Sequence, residues 1–258
     1  MIITTEAQKK EIATFIQKDR IIGNEKVWTF FITNILANSQ YKKEFMKQFC
    51  GGHLMLKSAL DVWFEAEPIP PRIDEGNSKI DLCFGSIRKR ENTSLGIEFD
   101  LMGEESWVCF VEAKYFSDCS TTVSNDPLRN QIVRVIENLL CFQADGKYPE
   151  KLFFTLLTPR RFKENPKSRL YGYKMEEYKE INNILCDIAL SNLKIREQAH
   201  WSYPCLKERV KLLHLNWVCY EDIFEREFGI GKIDLTKNNL ERDPGIVDLI
   251  NEIKKLTM

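Results

Sequence analysis

The chain has 258 residues, 43% of them hydrophobic and 29% charged, with a formal net charge of −1. That balance is ordinary for a globular protein of one large domain or two modest ones, and it argues neither for nor against a nucleic-acid partner. No apolar run approaches the roughly 18 residues that span a bilayer, and MIITTEAQKKEIATF lacks a basic start followed by an apolar stretch; neither membrane nor signal peptide is expected, and the expected compartment is cytoplasmic.

The first 65 residues read as helical. TEAQKKEIATFIQKD sets Ile12, Phe15 and Ile16 at helical spacing behind a capping Thr and Glu. NEKVWTFFITNILANS and QYKKEFMKQFC continue the pattern, and Gly51 and Gly52 close the third helix. A fourth helix is expected over HLMLKSALDVWFEAE, ending before Pro68, Pro70 and Pro71, which cannot continue it.

The character then changes. SKIDLCFGSI (78–87), SLGIEFDLM (94–102) and SWVCFVEAKYF (106–116) read as three strands, close enough in sequence for an antiparallel meander. SNDPLRNQIVRVIENLLCFQADG follows as a helix, with Asn125 or Asp126 as its cap and Pro127 in its first turn. KLFFTLLTP (151–159) is a buried strand and MEEYKEINNILCDIALSNL a helix. VKLLHLNWVCY is a strand running into EDIFEREFG, and GIVDLINEIKKL is a closing helix. The expected fold is α/β, a mixed central sheet flanked by helices with an α-helical N-terminal extension. Residues 1–60 form the extension and 61–258 the main domain, together one compact unit.

Eight cysteines are scattered without a C-x-x-C, several inside apolar runs, and read as reduced core thiols rather than a zinc site. Three histidines, His53, His200 and His214, stand apart from one another. No G-x-x-x-x-G-K-[ST], G-x-G-x-x-G or G-x-S-x-G occurs. TPRRFKENPKSRLYGYK (158–174) gathers Arg160, Arg161, Lys163, Lys167, Arg169 and Lys174 around Phe162, Tyr171 and Tyr173. Such a stretch can follow a phosphate backbone and stack on bases, or be a solvated loop.

WVCFVEAKYF (107–116) carries two charges in an apolar strand. Alternation sets Glu112 and Lys114 on one face with Val108 and Phe110, opposite Cys109, Val111 and Ala113. Either this is an edge strand with a surface ion pair, or the pair serves a ligand. A carboxylate there can hold Mg²⁺, and an ammonium can neutralise a phosphoryl transition state or help activate water. A second acid is needed, and Asp81 interrupts another apolar strand, IDLCFG. Asp100, in GIEFDL, is the alternative.

An Asp on one strand followed by Glu-x-Lys on a later one resembles the PD-(D/E)xK nuclease superfamily, the restriction-endonuclease-like fold. Other motif matches, EYK at 177, EIK at 252 and DGK at 145, lie in helical or turn patterns and carry nothing. The resemblance spans about residues 60–225. It implies a Mg²⁺-dependent nuclease, Mn²⁺ substituting, acting on DNA as an endonuclease of restriction or defence type. Asp81 and Glu112 would ligate the metal, Glu65 or Glu67 offering the further acid, with Glu67 preferred. Lys114 would position or activate water, and Gln131, on the following helix, would orient it or touch the phosphate. Arg160, Arg161, Lys163, Lys167, Arg169, Tyr171 and Lys174 would hold nucleic acid. Cutting both strands of a duplex would favour a homodimer. The rival is a catalytically inactive module of the same fold that binds nucleic acid or a protein.

Overall fold

A computed structural model describes residues 1–52, 54, 56, 60–73, 75–119, 129–198 and 200–256. His53 and the expected caps Asn125 and Asp126, with Pro127, lie outside them.

The chain opens with strand β1 (Ile2–Ile3) and helix α1 (Glu6–Gln17). Thr5 caps α1 in a capping box with Gln8, satisfying two otherwise orphaned N–H groups. Helix α2 (Glu25–Asn38) starts at the Asn24 side chain, which accepts from Val27 N. It is buried nearly all round, as befits an inner helix. Helix α3 (Lys42–Phe49) precedes strand β2 (Val62–Pro68). The fourth helix expected over 53–67 is therefore corrected at 62–67, while positions 53, 55 and 57–59 lie outside the described residues. Val62, Trp63 and Phe64 are strand-favouring residues, and β3 takes up their backbone groups in pairing; Pro68 ends the strand instead of a helix.

Strands β3 (Ile80–Gly85), β4 (Ile87–Lys89), β5 (Gly96–Phe99) and β6 (Trp107–Ala113) follow. Then come helix α4 (Gln131–Leu140), capped by Asn130, and strand β7 (Lys151–Thr158). Short helices α5 (Arg160–Glu164), α6 (Leu170–Glu177), α7 (Ile181–Cys186), α8 (Ile188–Ser191) and α9 (Leu206–Val210) lead to strand β8 (Leu213–Cys219). The single helix expected from Met175 onward is broken into pieces, with Asp187 capping α8. Helices α10 (Tyr220–Phe228) and α11 (Pro244–Lys255) finish the chain.

The eight-stranded mixed sheet runs β4-β5-β2-β3-β6-β7-β8, with β1 beside β2. The expected meander is corrected here: β3 pairs directly with β6, and β5 lies on the other side of β2, paired with β2 and β4. Gly85 makes this course of the chain feasible. Its φ is +122°, and a Cβ there would sit 2.5 Å from Trp107 O, so only glycine lets β3 lie against the start of β6 and turn into β4. β6, β7 and β8 are parallel.

Helices cover both faces. One core joins α1–α3, α10 and α11 to Leu82, Phe84, Cys109, Val111 and Ala113. The other joins α4 and α6–α9 to Cys83, Val108, Phe110, Phe154 and Leu156. Alternate residues of β6 thus enter opposite cores, as the period of two requires. All eight cysteines are free thiols and six are buried. No helix among the described residues is long and apolar enough to cross a membrane.

Candidate active site

β6 lies inside the sheet, between antiparallel β3 and parallel β7, and every one of its residues is buried. Glu112 is 1% exposed and Lys114 3% exposed. A surface ion pair on an edge strand is thereby excluded. Leu82 stands opposite Val111, so one step along the register sets Asp81 opposite Glu112, on the same face. The Ala113 N–H donates to Asp81 Oδ2 at 2.8 Å, which fixes that carboxylate at the end of β6.

Lys114 follows where the strand ends, and its N–H still bonds Leu157 O of β7 at 2.8 Å. Its Nζ lies 2.7 Å from Glu112 Oε1 and 3.6 Å from Glu25 Oε1, and donates to Ala113 O at 3.1 Å. Burial alone would favour a neutral amine. The Glu112, Asp81 and Glu25 carboxylates outweigh it and raise the Lys114 pKa. The group is a fixed ammonium at neutral pH, suited to donating hydrogen bonds and holding negative charge rather than to abstracting a proton.

Asp81 is pushed the other way. Burial first, and then the negative charge of Glu112, raise its pKa from 3.8 to about 8, against the lowering effects of Lys114 and the Ala113 N–H. Glu112 Oε2 is buried with no hydrogen-bond partner. One ammonium therefore serves three carboxylates, and one of their oxygens is orphaned.

Glu25 was not anticipated. It is the first residue of α2, and its Oε2 accepts from Tyr115 N at 2.8 Å and Ser117 Oγ at 2.6 Å. The N-terminal helices thus reach into the site and hold the segment after Lys114. The acid in the first turn of NEKVW was visible as a helix-start feature. Its partners, some 90 residues away, were not.

A divalent cation fits this donor set: two adjacent carboxylates, an unsatisfied buried oxygen and an excess of negative charge. Among the described residues no three Asp, Glu, His or Cys side chains converge as a ready metal cage. Mg²⁺ does not need one, because it binds one or two carboxylates and completes its shell with water and phosphate. Asp81 and Glu112 would hold it.

Of the other expected acids, Asp100 and Glu67 lie elsewhere, and Glu65 lies beside Asp81 but is already engaged. Asp100 follows β5, where its Oδ1 accepts from Met102 N in a turn. Its N–H bonds Ser86 O, and Ser86 N bonds Trp107 O, which ties Asp100 to the start of β6, the end away from Glu112. Asp100 therefore cannot stand in for Asp81. Glu67 pairs with Gly96 of β5, and its charge acts on Arg90. The residue across from Asp81 on β2 is Glu65, between the pairs Phe64–Leu82 and Ala66–Ile80. Its φ of +48° is strained for a non-glycine in a strand. Its carboxylate is taken by Lys26 Nζ at 2.8 Å and Gln8 Nε2 at 3.1 Å. Gln131 is the half-buried first residue of α4. The Cys119 thiol lies close enough to the Ile132 backbone and to Glu112 to feel both, so this end of α4 borders the site.

Because β7 is parallel to β6, the basic stretch that follows Thr158 emerges at the same edge as Glu112. It is helical, not the loop its prolines and glycine suggested. Three of its expected ligand contacts are corrected. Arg160 is locked to Asp222 Oδ1 at 2.6 Å and Glu225 Oε2 at 2.7 Å. Tyr171 is fully buried, edge-on to Trp217 and Phe162. Lys174 pairs with Glu177 at 2.9 Å and Asp187 at 3.1 Å. Arg161, Lys163 and Lys167 are exposed and Arg169 half-exposed, although Lys163 Nζ also donates to Trp217 O at 2.5 Å.

No protein-family model, curated protein or solved structure matches this chain.

Proposed function

We propose that the chain is a Mg²⁺-dependent nuclease on a restriction-endonuclease-like core, hydrolysing phosphodiester bonds in DNA. The observation that carries this reading is Asp81 opposite Glu112 beside the buried Lys114 ammonium, at the strand edge from which a basic face emerges. The succession of an acid-bearing strand, a Glu-x-Lys strand, a helix and a parallel strand supports it.

Bound there, Mg²⁺ would polarise the scissile phosphate and lower the pKa of a coordinated water. Asp81 and Glu112 would hold the cation. Lys114, permanently charged, donates to a phosphoryl oxygen or orients the attacking water and stabilises charge that develops there. Gln131, at the first turn of α4, orients the water or the phosphate. Arg161, Lys163, Lys167 and Arg169 hold the flanking backbone. Mn²⁺ substitutes for Mg²⁺. A restriction or defence role is a setting this chemistry suits, and a homodimer is the form suited to cutting both strands.

A second reading rests on the Lys114 clamp. Glu112 and Glu25 already neutralise it, as in a structural ion pair within a non-catalytic binding module. The test is cleavage of supercoiled plasmid, linear duplex, single-stranded DNA and RNA, with Mg²⁺, Mn²⁺ or EDTA, by wild type and Lys114→Ala. Metal-dependent cutting of DNA that disappears in the variant is expected. Cutting that survives EDTA or the substitution overturns the proposal. Binding of nucleic acid without cutting on every substrate points to the module.

A further inference from the structure

Phe116 lies two residues past Lys114 and is 41% exposed, the one phenylalanine the described residues leave on the surface. Its backbone is held rigidly. The preceding Tyr115 is buried, stacked on Trp28 at 5.6 Å, with its Oη donating to Leu235 O at 3.3 Å and its N–H held by Glu25. The Phe116 ring is braced edge-on by Tyr115 at 4.7 Å and Phe162 at 6.4 Å. The Arg169 guanidinium lies 4.5 Å from the Phe162 ring centre, and its Nη2 donates to Phe116 O at 3.4 Å. Phe116, Arg161, Phe162, Asn165, Ser168 and Arg169 line a cleft of about 430 Å³. That volume is within the range of about 300–1,000 Å³ typical of small-ligand sites.

An aromatic ring on an anchored backbone, in a cleft that Arg161 and Arg169 also line, is suited to a base with its phosphate. We propose that this cleft receives one unpaired nucleotide of the substrate strand, its base against Phe116 and its phosphate between Arg161 and Arg169. Bases inside a duplex are stacked on each other and offer no free face. An unpaired base does, and stacking on a protein aromatic is tolerant of sequence. The substrate class is therefore nucleic acid with a single-stranded segment or open end beside the cleaved bond, in preference to continuous duplex.

The inference rests on the nuclease reading, and the experiment separates the two. Fluorescence anisotropy in EDTA at low salt would compare a labelled single-stranded DNA oligomer with a closed hairpin duplex of matching sequence. Wild type, Phe116→Ala, Phe116→Leu and Phe116→Trp would be assayed as full chains, with melting curves confirming the fold. Phe116→Leu keeps apolar packing against Tyr115 and loses the π-face, so it stays informative if the alanine variant unfolds. Wild type is expected to favour the single strand, Phe116→Leu to lose about tenfold of that affinity with the hairpin unchanged, and Phe116→Trp to retain it. Equal single-strand affinity in wild type and Phe116→Leu, or an equal loss on both ligands, overturns the cleft and leaves the nuclease reading standing. No binding of either DNA by wild type counts against the nuclease reading itself and removes the cleft with it.

Discussion

Asp81 faces Glu112 across adjacent antiparallel strands, and the Ala113 N–H next to Glu112 holds the Asp81 carboxylate at 2.8 Å. Burial first, and then the charge of Glu112 beside it, make an ionised Asp81 costly, and this contributes to the pH behaviour of the metal-free protein.

The Asp81 pKa rises from 3.8 to about 8 on folding. Between those values the folded chain binds more protons than the unfolded one, so stability falls as pH rises. The loss begins near pH 4 and is complete above about pH 8. Asp81→Asn keeps an acceptor for the Ala113 N–H and removes the charge. It is expected to stabilise the metal-free protein by about 1–3 kcal/mol at pH 9 and far less at pH 5. Urea titrations at the two pH values check this; equal effects at both would refute it.

Lys114→Met should destabilise the protein by about 3–5 kcal/mol, because it strands the Glu112 carboxylate among apolar side chains. The double variant Glu112→Gln, Lys114→Met should recover much of that loss, since no uncompensated charge remains there. Chemical denaturation of both variants decides. A double variant as unstable as the single would show that the pair does not act as a unit.

Glu25→Ala removes the acceptor for Tyr115 N and Ser117 Oγ and one carboxylate near Lys114. A stability loss of about 1–2 kcal/mol is expected, with a fall in cleavage rate larger than that loss explains, because the segment after Lys114 loses its anchor and Lys114 keeps only Glu112 and Ala113 O as close partners. Glu25→Gln, which keeps an accepting oxygen, should retain most of the stability. Denaturation and cleavage rates on the same samples would show whether the two effects separate.

Arg160 and Arg161 are neighbours with different work. Arg160→Ala breaks the pairs to Asp222 and Glu225 and should lower the melting temperature while leaving the salt dependence of DNA binding intact. Arg161→Ala should leave stability within about 0.5 kcal/mol and reduce the slope of log K against log salt by about 1. Binding titrations over a range of salt concentrations distinguish them; the reverse pattern would place the nucleic-acid face elsewhere.

Much of the architecture was legible because period and caps are local. Thr5 with Gln8, the apolar run of β6 interrupted by Glu112 and Lys114, and the stripe of Ile132, Ile136, Leu139 and Leu140 are short-range signals. Pairing between strands is not. Nearness in sequence suggested that residues 94–102 lie between β3 and β6, whereas β3 meets β6 directly, in close approach at Gly85, and β5 lies beyond β2. The helix reading failed over 62–67 because β2 gains its backbone partners from β3, β1 and β5, none of them local. In the candidate site, Asp81, Glu112 and Lys114 declared themselves as charges inside apolar strands. Glu25 is an ordinary first-turn acid until folding brings it to Lys114. Arg160 and Lys174 read as ligand-holding cations because Asp222, Glu225 and Asp187 reach them from other elements, although Glu177, one turn along α6, was a local partner for Lys174.

Metal binding tests the central claim most directly, since it needs no knowledge of the substrate. Isothermal calorimetry of Mn²⁺ into wild type, Asp81→Asn, Glu112→Gln and Asp100→Asn is the experiment. The account expects binding by wild type and Asp100→Asn, and its loss in Asp81→Asn and Glu112→Gln. No binding by wild type, or undiminished binding by Glu112→Gln, would contradict it.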